Sequence, residues 1–443
     1  MKITIVGAAK SGRAAAMLAR RLGHDVLVTE AKPIEALGNV AAELTNHGIA
    51  LEAGGHTDRA FDADLVIVSP GVPPQNDVRQ GAMQRSIELI GELEFAWRHL
   101  KNPIIAITGT NGKTTTTALT AHILQQAGRA AVAAGNIGTP LSDLVGTISD
   151  DTIIVAETSS YQLDTTTSFQ PHVAVLLNIT PDHLTYHGSF EHYVHAKWKI
   201  CAHQGADDVV ILNADDPHAA GASSVARSKV QMISTRTAQH GAFVRGDEII
   251  LRVEQHKEEH LMPVRRLGLP GLHNTYNSMA AALAARAFEV RNENLRDSLQ
   301  SFAGVEHRLE YVRTVRDVRY INDSKATNIN AAWFALSSFE RPLVWIAGGR
   351  GDNNDYHALD ELVARHVKSI VCIGEDADTI FNHWCTRKRC VKTASLADAV
   401  RTASELAEPD DVVLFSPACK SFDMFDNFEH RGHAFKALVD SLS

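Results

Sequence analysis

Long apolar runs are missing from this chain of 443 residues. None approaches the ~18 residues of a membrane span, so no helical membrane protein is expected. Excess positive charge is missing too, with a formal net charge of −9. No basic surface marks a nucleic-acid partner, and an anionic small molecule must be met by a local nest of donors. Cysteine is scarce: five residues, at 201, 372, 385, 390 and 419, form no paired CxxC zinc pattern. Cys372 lies in a strand-like run, where a reduced, buried thiol is expected. The start, Met1-Lys2-Ile3-Thr4-Ile5-Val6-Gly7, enters a strand without the apolar region and cleavage site of a signal peptide. These features together lead us to expect a reduced, cytoplasmic protein. There is no internal repeat or low-complexity segment. Hydrophobic residues at 44% and charged residues at 21% give an ordinary globular balance, and the length suits roughly three domains of ~150 residues.

What is present is concentrated just after the apolar run Ile104-Ile105-Ala106-Ile107, where residues 108–115 read Thr-Gly-Thr-Asn-Gly-Lys-Thr-Thr. A buried strand, glycines, a lysine and a hydroxyl in that order suit a phosphate-binding loop. Glycines let backbone N–H groups approach phosphates, and the following helix aims its positive N-terminus at the anion. Lys113 can reach the terminal phosphates, and Thr114 can ligate Mg²⁺. The common GxxxxGK[ST] form is absent, because Ile107 stands five before Gly112. The shorter Gly109-x-x-Gly112-Lys113-Thr114 spacing narrows the families further.

The chain reads as α/β in three domains. Residues 1–95 alternate strands (Ile3–Val6, Val26–Val28, Leu65–Val68) with a helix at Arg13–Leu22, as in a Rossmann-like nucleotide-binding domain. Its glycine turn Gly7–Gly12 has Ala9 where the dinucleotide fingerprint has its middle glycine, so the signal is weak alone. Glu30, at the end of the second strand, is at the right distance for ribose or base. Residues 96–301 form a central domain with a P-loop ATPase-type parallel sheet. Its strands end at Glu157, Asn178 and Asn213, and residues 242–253 read as a hairpin around Gly246-Asp247. Residues 302–443 form a C-terminal Rossmann-like α/β domain, whose strands run into Asn322-Asp323-Ser324-Lys325, Gly348-Gly349, Gly374 and Ser416-Pro417. Ligands of open α/β sheets bind beyond such carboxyl ends.

Glu157, on a strand beside the loop, is placed to complete a Mg²⁺ shell. The stretch 182–199 holds His183, His187, His192, His195, Lys197 and Lys199. No HExxH spacing and no nearby cysteine support zinc there, and a divalent cation near His183 is the better reading. Nothing in the residues separates Lys197 from Lys199. His307-Arg308 opens the last domain, where Arg308 could neutralise charge on a transferring phosphoryl group.

Taken together these motifs resemble the Mur ligase family, across essentially the whole chain and most closely its D-glutamate-adding branch. The resemblance rests on Thr108–Thr115, Gly135-Asn136-Ile137-Gly138, Glu157–Leu163, Asn178–His183, Gly271–Asn277, His307-Arg308, Asp323–Asn328, Ser416–Asp423 and Asn427–Gly432. It implies an ATP-dependent, ADP-forming ligase that adds D-glutamate to UDP-N-acetylmuramoyl-L-alanine in peptidoglycan precursor synthesis, as a monomer. ATP and two Mg²⁺ ions are implied. The ATP residues would be Gly109, Thr110, Asn111, Gly112, Lys113, Thr114, Thr115, Asn274, Asn277, Arg308, Asp323 and Lys325. Ser11, Glu30, Lys32, Ser69, Pro70, Gly71, Asn136 and His183 would meet the sugar nucleotide. Thr327, Ser421, Phe422 and Phe428 would line the D-glutamate pocket. Thr114, Glu157, His183 and Lys197 would hold metal, with Lys197 carbamylated. Lys113, His183, Lys197 and Arg308 would carry the catalysis.

One segment departs from the pattern. Where several relatives carry a lysine for the incoming glutamate carboxylate, this chain has Asp352, with Arg350 nearby. A sister ligase for L-alanine or a diamino acid, or a folylpolyglutamate synthase, is the alternative within the same chemistry. The N-terminal nucleotide-type unit disfavours the folate enzyme, and no Asp-Asn-Pro-Arg motif marks the diamino-acid branch. A nucleotide sensor that ligates nothing is the alternative from another class, and the matched strand ends in all three units argue against it.

Overall fold

The computed structural model describes residues 1–253, 257–339, 341–351 and 354–442. They form two compact units, Met1–Phe302 and Ala303–Ser443. The first unit carries two sheets. One is parallel, with β1 (Lys2–Val6), β2 (Asp25–Glu30), β3 (Ala50–Ala53), β4 (Leu65–Val68) and β5 (Glu88–Gly91) in the order β3-β2-β1-β4-β5. The order reverses between β1 and β4, which opens a crevice above their carboxyl ends.

The second sheet of this unit holds β6 (Ile104–Thr108), β7 (Ala131–Gly135), β8 (Ile153–Glu157), β9 (Val173–Leu176), β10 (Val209–Asn213), β11 (Lys229–Ser234), β12 (Gly241–Arg245), β13 (Glu248–Arg252) and β14 (Glu259–Pro263). Their order is β14-β13-β12-β11-β10-β9-β6-β8-β7. β6 lies between β8 and β9, and every residue of β6 and β8 is buried. Burial on both faces is why these strands read as continuous apolar runs. The expected hairpin pairs β12 with β13 around Gly246, at φ +62°.

Helix Glu92–Trp97 joins the two sheets. Glu94 accepts the backbone N–H groups of Thr167 and Ser168, both at 3.2 Å, and Glu92 accepts that of Ser142 at 2.8 Å. One apolar core runs from Ile5 through Leu93 and Phe95 to Ile104 and Ile154. The expected division at 95/96 falls inside this helix.

The second unit is built on β15 (Glu310–Val315), β16 (Val318–Asn322), β17 (Leu343–Gly348), β18 (Val367–Ile373), β19 (Arg389–Lys392) and β20 (Val412–Phe415), in the order β15-β16-β20-β17-β18-β19. Only β15 is antiparallel to its neighbour. Period-two alternation sends Trp345 and Leu414 into one apolar layer, and Val344, Ile346 and Phe415 into the other.

The first helix spans Lys10–Arg21, three residues earlier than the expected Arg13. Ser11 therefore sits in its first turn, not in a loop. Gly12 permits this, because a Cβ there would stand 1.9 Å from the Gly7 carbonyl oxygen. Among the described residues no helix is long and apolar enough to cross a membrane.

Candidate functional site

The phosphate loop follows β6. Gly109 and Gly112 have φ of +157° and +84°, and a Cβ on Gly112 would come 2.4 Å from Asn277 Oδ1. Asn277, which is buried, donates from Nδ2 to Asn274 Oδ1 at 3.2 Å. Both asparagines, from helix Leu272–Arg286, thus stand at the loop. Lys113 Nζ donates to the carbonyls of Gly109 at 2.9 Å and Thr110 at 2.8 Å. Asn178, after β9, clamps Asn111: its Oδ1 accepts the Asn111 N–H at 2.8 Å and its Nδ2 donates to the Asn111 carbonyl at 3.1 Å. Thr110 is held by Tyr193, with 2.9 Å between hydroxyls. Thr115 is buried in the first turn of helix Lys113–Gln126.

Glu157 is buried, 2% exposed, at the end of β8. Its Oε2 accepts from the Thr114 hydroxyl at 2.7 Å, and its Oε1 accepts from Asn136 Nδ2 at 2.8 Å. Gly135 makes the approach possible, since a Cβ there would lie 2.4 Å from the Glu157 carbonyl oxygen. A carboxylate and a hydroxyl beside a phosphate loop are hard oxygen donors, which suits Mg²⁺.

Lys197 is 1% exposed on helix Phe190–Ala202. Its Nζ donates to the Gly109 carbonyl at 2.8 Å and lies 4.8 Å from the centre of the Tyr193 ring. Burial, reinforced by Lys113, holds its amine well below the usual lysine range, and Asp182 and Glu157 only partly oppose this. Lys199 points elsewhere, to the carbonyls of Asp164 and Thr166. The structure thus separates two lysines that the residues alone left equal. His183 has left-handed backbone, φ +54°, and heads the short helix Leu184–His187. Burial lowers its pKa against the opposing charge of Asp182, and Lys113 and Lys197 add to the lowering. A neutral imidazole can offer a lone pair to a metal. Among the described residues the histidines of 182–199 form no three-residue group with metal-ligand spacing.

At the crevice of the first sheet, Glu30 Oε2 accepts the Ala8 N–H at 2.8 Å and Oε1 accepts the Lys32 N–H at 3.0 Å. Ser69 donates from its hydroxyl to the Gly7 carbonyl at 3.2 Å. Ser11, Glu30, Lys32, Ser69, Pro70 and Gly71 therefore gather around one glycine turn, with Lys32 and Gly71 exposed.

In the second unit Asp323 follows β16. Its carboxylate accepts from the Ser416 hydroxyl at 2.7 Å and the Leu309 N–H at 3.2 Å. Burial pushes this carboxyl up to about 7, against the lowering effects of Ser416 and Arg308. Lys325 donates its N–H to the His307 carbonyl, and its Nζ lies 5.6 Å from the centre of the Phe428 ring. The buried Arg431 ties Ser324 to the Cys419 carbonyl, at 2.8 and 3.1 Å, which brings the 323–327 turn beside Ser421. Thr327 and Phe428 are half-buried, Ser421 is buried, and Phe422 is 58% exposed. Arg350 is held by Glu375 at 2.8 and 2.9 Å, and Asp352 lies outside the described residues.

Three family models match the chain in order: MurD N-terminal domain over residues 2–78, Mur ligase middle domain over 107–285, and Mur ligase glutamate ligase domain over 307–419. A UDP-N-acetylmuramoylalanine–D-glutamate ligase of Salinibacter ruber is 46% identical, covering 100% of this chain and 98% of the relative. The chain belongs to the Mur ligase family. The enzyme of the same name from Acidobacterium capsulatum is 45% identical, over 99% of this chain and 96% of its own. The fold matches that of UDP-N-acetylmuramate-alanine ligase from Thermotoga maritima, with a TM-score of 0.59 at 19% identity, covering 100% of this chain and 99% of that one.

Two groups at the core of this Mur ligase's site escaped the sequence reading. Tyr193 stands four residues before Lys197, on the same helix face, and that spacing was the available signal. Asn178 was read as a strand end and as the start of the matched segment Asn178–His183, without a role for its amide. Its clamp on Asn111 depends on β9 lying next to β6, which no local pattern encodes.

Proposed function

We propose that this Mur ligase adds D-glutamate to UDP-N-acetylmuramoyl-L-alanine in peptidoglycan precursor synthesis, converting ATP to ADP and phosphate. It acts in the cytoplasm and as a monomer. The end-to-end likeness to relatives named for that reaction carries the reading, and the convergence of Thr114, Glu157 and Lys197 at the phosphate loop supports it. The region to residue 95 takes the sugar nucleotide through Ser11, Glu30, Lys32 and Ser69–Gly71. The region 96–301 takes ATP, and 302–443 takes D-glutamate.

A carboxylate is a poor electrophile. One of its oxygens attacks the γ-phosphorus of ATP, ADP leaves, and an acyl phosphate forms. The D-glutamate amine then attacks the acyl carbon, and the tetrahedral intermediate expels phosphate and releases a proton as the amide forms. Within the loop Gly109–Thr115 the Thr110 and Asn111 N–H groups are held by Asn178, so the backbone N–H groups of Gly112–Thr115 cradle the phosphates, with Asn274, Asn277, Asp323 and Lys325 around the nucleotide. Lys113 exchanges its loop carbonyls for phosphate oxygens, and Arg308 offsets charge on the transferring group. Thr114 and Glu157 would hold one Mg²⁺, and His183 and a carbamylated Lys197 would hold another. Bound Mg²⁺ supplies positive charge against the phosphate oxygens. The neutral Lys197 amine would add CO₂ and lose a proton, so an uncharged buried amine would become an anionic oxygen ligand. Asn136 and His183 orient the sugar nucleotide, and Thr327, Ser421, Phe422 and Phe428 line the amino-acid pocket.

The test is incubation with ATP, Mg²⁺, UDP-N-acetylmuramoyl-L-alanine and a panel of amino acids, followed by mass spectrometry. ADP and a product heavier by one glutamyl residue are expected with D-glutamate alone. No adduct with any amino acid overturns the proposal.

A further inference from the structure

The walls assigned to the sugar nucleotide belong to two different sheets, and one buried side chain spans them. Arg79, on helix Asp77–Gln84, is 8% exposed. Its Nη1 donates to the Val72 carbonyl and to the Tyr186 hydroxyl, both at 2.9 Å, and Nη2 lies 3.5 Å from Asp164 Oδ2. Val72 closes the turn after β4: its N–H bonds the Ser69 carbonyl, and its side chain lies 3.5 Å from where a Cβ on Gly7 would stand. Tyr186 belongs to the short helix headed by His183. Its ring meets that of Tyr161 edge-on at 4.3 Å, and Tyr161 packs on His183 at 4.8 Å. Tyr186 is itself more than half buried, and burial raises its phenol pKa, so the hydroxyl stays neutral and accepts from the guanidinium.

We propose that Arg79 is a positioning residue for the sugar-nucleotide substrate, which sets the spacing between the Ser69–Val72 turn and the His183 helix. The inference rests on the proposed function, which places both walls on one ligand. A planar guanidinium is pre-organised to donate to two acceptors at once. An interaction of this kind fixes the geometry of the empty site, so its loss falls chiefly on binding of the ligand that touches both walls, with a smaller effect on kcat through the helix that His183 heads.

The experiment compares wild type with Arg79→Met, Arg79→Lys, Tyr186→Phe and the Arg79→Met/Tyr186→Phe pair. Steady-state kinetics are measured with each substrate varied in turn, and UDP-N-acetylmuramoyl-L-alanine binding is measured by calorimetry. Arg79→Met is expected to raise KM and Kd for the sugar nucleotide roughly tenfold. The KM for ATP and D-glutamate should change less than about twofold, and kcat should fall by a smaller factor than the rise in the sugar-nucleotide KM. Arg79→Lys should restore part of the affinity. Tyr186→Phe keeps the ring against Tyr161 and should shift the same constant by a smaller factor. The pair should lose less than the two single changes multiplied. An unchanged sugar-nucleotide KM in folded Arg79→Met and Tyr186→Phe overturns the proposal. A rise shared equally by all three substrates overturns it too, by reducing Arg79 to a general structural role. Wild type that binds the sugar nucleotide without turning it over overturns the proposed reaction while the calorimetric arm still decides the role of Arg79. Wild type that does not bind it overturns both.

Discussion

Lys197 donates to the Gly109 carbonyl at 2.8 Å, so a lysine from helix Phe190–Ala202 ends beneath the phosphate loop. An ammonium so buried is costly, and the amine is held well below its usual range by burial first and Lys113 second. A neutral amine is the form that reacts with CO₂. With ¹³C-labelled bicarbonate, a carbamate resonance is expected in wild type and in Lys199→Ala, and is expected to vanish in Lys197→Ala. ADP release should fall roughly a thousandfold in Lys197→Ala. A resonance that survives in that variant would move the carbamate to another lysine.

The Thr114 hydroxyl and Glu157 carboxylate, 2.7 Å apart, lead to a prediction about metal demand. Glu157→Gln keeps the shape and removes the charge. Thr114→Val removes a donor, and the fold should lose about 1 kcal/mol for it. Both should raise the Mg²⁺ concentration for half-maximal ADP release, Glu157→Gln by roughly tenfold or more. Titration of initial rates with Mg²⁺ measures this. Half-saturation that stays at the wild-type value would remove Glu157 from the metal site.

The order of glycines, lysine and hydroxyl was legible because a phosphate loop is contiguous, and the strands of β1, β4, β6, β9, β10, β17, β18 and β20 were legible because buried parallel strands are short apolar runs. β3 and β19 were not resolved, since each has only four residues, mostly half-buried or exposed, at a sheet edge. The onset of the first helix was missed because Ala9 supplies no capping side chain. What joins Glu157 to Thr114, or Arg79 to Tyr186, is strand order and the packing of two sheets. Residues 43 and 107 apart in the chain leave no periodic trace of that. The choice of Lys197 over Lys199 needed only the rotation of one helix, which the residues did not fix.

Arg350 holds Glu375 by both arms of its guanidinium, with the two side chains 49% and 54% exposed. Exposed pairs contribute only about 0–1 kcal/mol, so another carboxylate can displace Glu375 at little cost. If Arg350 receives a carboxylate of D-glutamate, Glu375 competes with substrate. Glu375→Gln should then lower the KM for D-glutamate roughly twofold to fivefold, and Arg350→Ala should raise it about tenfold. Should both variants keep the wild-type KM, the pair is surface structure and the amino acid is bound elsewhere.

Asp323 predicts a pH effect on the fold. Its carboxyl is pushed up to about 7, first by burial, and Ser416 and Arg308 offset only part of that. A carboxyl with a raised folded pKa favours the protonated native state. Its stabilising contribution is complete below the ordinary value of 3.8 and declines as pH rises towards 7. Above that it is constant and at its least favourable. Asp323→Asn cannot titrate, so the variant should gain stability relative to wild type across this window, by up to roughly 4 kcal/mol at neutral pH. Urea unfolding of both proteins at several pH values between 4 and 8 measures the difference, which cancels the groups they share. A difference that does not change with pH would mean that Asp323 is ionised throughout, with the Arg308 charge outweighing its burial.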